Sequence, residues 1–125
     1  MRIVGVGVDV VEVERVQRIL DRRSTFRDRV FTPEEIAYCD AKAVPARYYA
    51  ARWAAREACV KALGGVREFR WHDIRVERAP SGAPRLALEG SARARADRVG
   101  AQEVLVSFSH EGSLATAFCI AVGEG

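Results

Sequence analysis

Apolar and small residues alternate at the start of the chain. Val4, Val6, Val8 and Val10 hold one parity, and Gly5, Gly7 and Asp9 hold the other. A period of two belongs to a strand, whose successive side chains point to opposite faces. A strand is therefore predicted over 2–9, with a valine face and a face left nearly bare. Glycine inside a strand weakens it and marks close approach by a ligand or another backbone. Val13, Val16 and Leu20 then recur at helical spacing, predicting a helix over 12–22. A short polar turn follows over 23–28. Thr32-Pro33-Glu34-Glu35 reads as a helix start, with Thr32 as cap and Pro33 in the first turn, for a helix over 33–41. A long helix near 44–63 stops at Gly64-Gly65. Strands over 72–79 and 84–88 are joined by a turn at Pro80-Ser81-Gly82-Ala83-Pro84. A helix over 90–99 precedes strands over 103–109 and 114–122, which form a hairpin bent at Gly112. Hairpins with segregated helices predict an α+β fold with a mainly antiparallel sheet and one long central helix. No repeat, low-complexity tract or linker breaks the chain, and one domain is expected over 1–125.

The long helix holds charges in unexpected places. At 100° per residue, Tyr49, Trp53, Val60 and Leu63 fall within about 80° of one another and mark the core-facing stripe. Arg56 lies inside that stripe and Arg52 at its edge. Charges are almost never fully buried unless paired. These two either bend to the rim over their apolar stems or meet an anion or an acidic partner. Glu57 and Lys61 follow on the same helix, four residues apart, with Cβ atoms about 5–6 Å from each other. They are either a surface ion pair, or a hard-metal ligand and a phosphate-binding cation converging on one anionic group. Asp9 offers a similar choice. It caps the helix that begins near Val11 or Glu12, or it is a carboxylate with open space beside it, able to coordinate Mg²⁺. Gly5-Val6-Gly7 is not a dinucleotide fingerprint, because the third glycine and the βαβ spacing are absent.

Ser107-Phe108-Ser109-His110-Glu111 puts hydroxyls, an imidazole and a carboxylate at a strand end. A Ser-His hydrolase is disfavoured there, since no Gly-x-Ser-x-Gly elbow is present and strand neighbours point to opposite faces. On the first helix, Arg15, Arg18 and Arg22 fall within about 60° of each other. That face is either simply solvated or steers an acidic partner.

Composition narrows the classes. Hydrophobic residues make up 49% of the chain, which excludes a disordered protein. No apolar run approaches the ~18–20 residues a bilayer span requires. The net charge of +3, from 20 Lys+Arg against 17 Asp+Glu, is too small to mark a nucleic-acid binder. Arginine is the default cation, with Lys42 and Lys61 the only lysines, so a lysine at 61 is informative. Cys39, Cys59 and Cys119 are odd in number and have neither metal-like nor disulfide-like spacing. No charged-then-apolar leader precedes the first strand. A cytoplasmic protein with reduced core thiols is expected.

Three segments in order carry a resemblance. They are Gly5-Val6-Gly7-Val8-Asp9, then Arg52-Trp53-Ala54-Ala55-Arg56-Glu57-Ala58-Cys59-Val60-Lys61-Ala62-Leu63-Gly64, then Ser107-Phe108-Ser109-His110 before a short apolar strand. The chain resembles the holo-acyl-carrier-protein synthases, the short single-domain type of 4′-phosphopantetheinyl transferase. The likeness spans essentially the whole chain, including Phe31-Thr32-Pro33-Glu34-Glu35 and Gly82-Ala83-Pro84. Two departures are visible. Arg56 stands where the family usually has lysine, and Gly65-Val66-Arg67-Glu68 differs from the usual Gly-Thr-Gly run.

The resemblance implies Mg²⁺-dependent transfer of 4′-phosphopantetheine from coenzyme A to a serine of an acyl carrier protein. The pathway is fatty-acid or polyketide synthesis, and 3′,5′-ADP is released. It implies Asp9 and Glu57 as metal ligands, with Asp9, Glu57, Lys61 and His110 in the catalytic set. Coenzyme A contacts are implied at Arg47, Arg52, Arg56, Lys61, Gly82, Pro84 and His110. The face of Arg15, Arg18 and Arg22 would dock the carrier protein, and a homotrimer would hold its sites between subunits. The acceptor of the serine proton is left open between Glu57, Asp9 and a metal-bound water. Two other readings use some of the same residues. A non-catalytic carrier-binding module would need the basic helix but not Asp9, Glu57 and Lys61 together. A Mg²⁺-dependent nucleotide phosphohydrolase would need the carboxylates but not the basic helix.

Overall fold

In the bare parity of the first strand, glycine makes room for a helix. A computed structural model describes residues 1–125. Strand β1 (Arg2–Glu12) lies directly against helix α4 (Pro45–Ala62). A Cβ built on Gly5 would overlap the carbonyl oxygen of Ala62, and one on Gly7 that of Ala58. The bare face is therefore filled by backbone rather than open, and the close packing that glycine permits is between strand and helix. Helix α4 matches the approach with small residues: Ala50, Ala51, Ala54, Ala55, Ala58 and Ala62 are all buried.

The remaining elements wrap this pair. Helix α1 (Val13–Arg22) follows β1 directly, then α2 (Phe26–Val30) and α3 (Pro33–Asp40) lead to α4. A single 3-10 turn, Trp71–Asp73, precedes β2 (Ile74–Arg78), and β3 (Pro84–Leu88), α5 (Gly90–Val99), β4 (Glu103–Glu111) and β5 (Leu114–Gly123) complete the chain. Two antiparallel sheets result, one of order β1-β5-β4 and the other β2-β3. This is an α+β architecture with one long central helix, as the periodicities predict. No helix is long and apolar enough to cross a membrane.

Several local expectations are corrected. The first strand runs on to Glu12, so Asp9 sits in mid-strand opposite Ala117. The residue before α1 is Glu12, which makes no side-chain cap bond, and Asp9 is not a helix cap. A register shift between Ile3 and Gly5 takes Val4 off the valine face, because a bulge sets an extra residue against one partner. Val4 packs on the core while Val6, Val8 and Val10 stay exposed. The polar turn at 23–28 contains the start of α2, whose Phe26 and Val30 face inward one turn apart.

The stripe on α4 is buried as its spacing predicts at Tyr49, Val60 and Leu63. Arg52 and Arg56 go with it, at 2% and 0% exposure. Neither bends to the rim. The three cysteines are unpaired and buried, and burial raises their thiols, Cys39 to about 11 and Cys59 to about 12. They are inert core residues, not nucleophiles.

Candidate active site

Asp9 projects from β1 with the parity of Gly5 and Gly7, toward α4. Lys61, in the last turn of α4, reaches back to it, donating to the Val8 carbonyl at 2.9 Å and to Asp9 Oδ1 at 3.2 Å. One turn earlier, Glu57 accepts from Arg67 Nη2 at 2.6 Å through Oε2. The ion pair available at i,i+4 is not the one that forms. Lys61 pairs with Asp9 and Glu57 with Arg67, so each carboxylate has its own cation.

Glu57 Oε1 is buried and has no hydrogen-bond partner. Burial raises the Glu57 carboxyl above its ordinary value; Arg67 opposes this, Asp9 adds to it, and Lys61 opposes it slightly. Asp9 works in the direction of burial because the two carboxylates are like charges facing one space. Both line a cavity of about 340 Å³ that also contains Glu12, Arg15, Trp53 and Arg67. Two oxygen-only side chains in one cavity, one with an unsatisfied buried oxygen, fit a hard divalent cation. No group of three His, Cys, Asp or Glu exists that could enclose a metal alone. A cation here would have positions left for substrate oxygens, the manner in which Mg²⁺ is usually held.

Arg15 connects this cavity to the basic helix. It lines a second groove of about 340 Å³ with Arg18, Ile19, Arg22 and Arg23. Beyond Arg23 lies an aromatic pocket of about 160 Å³, formed by Phe26, Val30, Trp53 and Trp71. Its rings contact edge-on or tilted, Phe26–Trp53 at 5.5 Å and Trp53–Trp71 at 4.9 Å. Trp53 lines both this pocket and the carboxylate cavity. The sequence periodicities do not predict this pocket; its one local sign is the i,i+4 spacing of Phe26 and Val30.

The other predicted residues gather elsewhere. His110 Nε2 lies 2.7 Å from the Arg47 carbonyl, and its ring packs on Tyr48 at 5.6 Å. The Arg47 side chain is exposed. Arg52 lies over the Tyr38 ring at 4.6 Å and donates to the Tyr48 carbonyl, with its Nε buried and unpartnered. Arg78 and Lys42 also face Tyr38, at 5.1 and 4.4 Å. Arg52, Tyr38, Arg75 and Arg78 line a cavity of about 270 Å³ beside the β2-β3 hairpin. In the turn of that hairpin Gly82 takes φ +90°, a left-handed conformation natural only to glycine, and Pro84 begins β3. Asp9 pairs with Ala117 on β5, which pairs with Phe108 on β4, so His110 lies a strand further across the sheet. One chain does not bring His110 and the hairpin to the carboxylates. Arg56 joins neither cluster. Its guanidinium is wholly buried against Glu35 and the Trp71 carbonyl.

The 4′-phosphopantetheinyl transferase superfamily profile matches residues 5–119. A holo-[acyl-carrier-protein] synthase of Anaeromyxobacter dehalogenans is 50% identical over 127 residues, covering 98% of each chain. The crystal structure of a holo-ACP synthase from Plasmodium yoelii superposes with a TM-score of 0.87 at 29% identity, covering 99% of this chain and 98% of that one. The Helicobacter pylori holo-[acyl-carrier-protein] synthase in complex with coenzyme A superposes at 0.81 and 28% identity, covering 94% and 99%. With the profile matching most of its length and half of its residues identical to those of such a synthase, this chain belongs to the 4′-phosphopantetheinyl transferase superfamily and, within it, to the holo-[acyl-carrier-protein] synthases.

Proposed function

We propose that this chain transfers 4′-phosphopantetheine from coenzyme A to a serine of an acyl carrier protein, with Mg²⁺ held by Asp9 and Glu57. One observation carries this reading. The cavity shared by Asp9 and Glu57 continues through Arg15 into the basic groove of α1, so a phosphate-activating site adjoins a surface suited to an acidic protein. A nucleotide phosphohydrolase has no use for that groove, and a binding module none for the carboxylates. When bound, the metal supplies charge neutralisation on the pyrophosphate, which makes 3′,5′-ADP a better leaving group.

The chain's own residues do the rest. Lys61 already presents its ammonium group at the mouth of Asp9 and is half exposed, with 52% of its side chain accessible. It meets incoming phosphate oxygens as a point charge. The exposed arginines of α1 orient the carrier so that its serine enters beside Arg15. The serine oxygen forms a bond to the β-phosphorus as the bond to the bridging oxygen breaks. The serine proton passes to a carboxylate or to water, and 3′,5′-ADP leaves. Synthesis of fatty acids or polyketides is the pathway such a product serves, and the cytoplasm is its compartment.

The two clusters also support a homotrimer with coenzyme A bound between subunits. Arg52, His110 and the Gly82–Pro84 turn form one half-site; Asp9, Glu57 and Lys61 form the other. Val6, Val8, Val10, Leu105 and Phe118 expose a continuous apolar face on the outer side of the β1-β5-β4 sheet. Apolar patches of this kind mark association surfaces. The test of function is direct. Incubated with apo acyl carrier protein, coenzyme A and Mg²⁺, the carrier gains the mass of phosphopantetheine; an unchanged mass refutes the reading.

A further inference from the structure

We propose that Arg67 is the resident counter-cation of the carboxylate site and sets the threshold at which a divalent metal takes the site over. The inference rests on the proposed metal role of Asp9 and Glu57.

Each carboxylate is already engaged by a positive group, Asp9 by Lys61 at 3.2 Å and Glu57 by Arg67 at 2.6 Å. A dication that ligates both carboxylates enters against two ammonium or guanidinium heads, with Arg15 a third charge on the cavity wall. One of them must yield, and the geometry selects it. Lys61 stands on a regular helix and is held by the Val8 carbonyl as well as by Asp9. Arg67 donates only to Glu57. It sits in the irregular segment between the left-handed Gly64 and Gly65, at φ +104° and +81°, and the turn at Trp71. Its side chain is 61% exposed, and its guanidinium lies 5.6 Å from the Trp71 ring, where it keeps a favourable contact after letting go of Glu57.

The gain is on the side of Glu57. A carboxylate only 14% exposed, with one oxygen already orphaned, would otherwise stand in a half-buried cavity with no donor at all. Arg67 supplies one until a metal arrives.

The test measures metal directly, without turnover. Mn²⁺ is titrated into the purified protein and free Mn²⁺ is followed by electron paramagnetic resonance, for wild type, Arg67→Ala, Arg67→Lys and Glu57→Gln. Arg67→Ala is expected to bind Mn²⁺ roughly three- to tenfold more tightly than wild type, the scale of one partly exposed opposing charge. Arg67→Lys should fall between the two, and Glu57→Gln should lose binding. Arg67 is largely exposed, so its variants keep the fold, which circular dichroism verifies. Unchanged or weaker Mn²⁺ binding in Arg67→Ala, with binding still lost in Glu57→Gln, overturns the role of Arg67 and leaves the metal site standing. Binding that ignores Glu57→Gln, or is absent from wild type, overturns the metal site and the role of Arg67 together.

Discussion

Arg56 and Glu35 form a bidentate ion pair, at 2.9 and 2.5 Å, in a place that water barely reaches. Glu35 also accepts from the backbone amides of Thr32 and Val76, and Arg56 donates to the Trp71 carbonyl. One carboxylate thereby ties the start of α3, the middle of α4 and strand β2 together. Burial works to raise the Glu35 carboxyl; the Arg56 hydrogen bond and charge, with the Thr32 and Val76 amides, outweigh it and leave the group below its ordinary value.

Glu35→Gln is expected to destabilise the protein by about 3–5 kcal/mol, the cost of stranding a buried charge. Denaturant unfolding measures it. Because the folded-state pKa is depressed, this contribution is complete above the ordinary value of 4.5 and is lost as pH falls through the lower folded value. The difference between wild type and variant should shrink in that acid window.

Asp9→Ala and Glu57→Gln are each expected to lower phosphopantetheine transfer by on the order of a hundredfold or more, with little change in thermal unfolding. EDTA should abolish wild-type activity and added Mg²⁺ restore it. Full activity in EDTA would remove the metal assignment.

Lys61→Ala should weaken transfer and coenzyme A affinity in parallel, by roughly 1.5–3 kcal/mol, the worth of a charge-assisted contact. Lys61→Arg should retain more of both, since it keeps the charge and changes only its shape. Equal kinetics for wild type and Lys61→Ala would reduce the residue to a partner of Asp9.

A double reversal, Arg18→Glu with Arg22→Glu, should raise KM for the carrier protein and leave that for coenzyme A unchanged. Arg15 is spared because it also lines the carboxylate cavity. Each exposed pair contributes only about 0.2–1 kcal/mol, so two are reversed, and the effect should fade at high ionic strength. Unaltered carrier kinetics at low salt would move recognition to the aromatic pocket of Phe26, Trp53 and Trp71.

Val8→Asp should dissociate the proposed trimer, read as a fall to monomer mass in light scattering, because it plants a charge in the exposed apolar sheet face. If the two clusters complete each other across subunits, transfer falls with it. An oligomer of unchanged mass would detach this face from association.

What was legible in the sequence was mostly local. Thr32 caps α3 and Glu35 closes the capping box, all within four residues. The convergence of Asp9 and Lys61 came through the resemblance, since 52 residues separate them. The sequence showed that Arg56 had to be rimmed or paired, but its partner lies 21 residues away on another helix, and no periodicity names it. The valine parity was plain. Which face would be covered was not, because that depends on where α4 lies, and the bulge that removes Val4 depends on pairing with β5. The Arg67 contact was invisible because it comes from a segment without regular structure, ten residues beyond Glu57.

The glycine face of β1 has a consequence for tolerance. Gly5 and Gly7 let main chain rest on main chain at Ala62 and Ala58, so the gap between strand and helix is fixed by atoms that have no rotamers. Asp9 is two residues past Gly7, Glu57 precedes Ala58 and Lys61 precedes Ala62, so the same contact gauges the spacing of the three proposed site residues. A single methyl at Gly7 would wedge the two elements apart and misplace all three side chains while altering none of them. Such a variant would keep its full complement of functional side chains and lose their spacing.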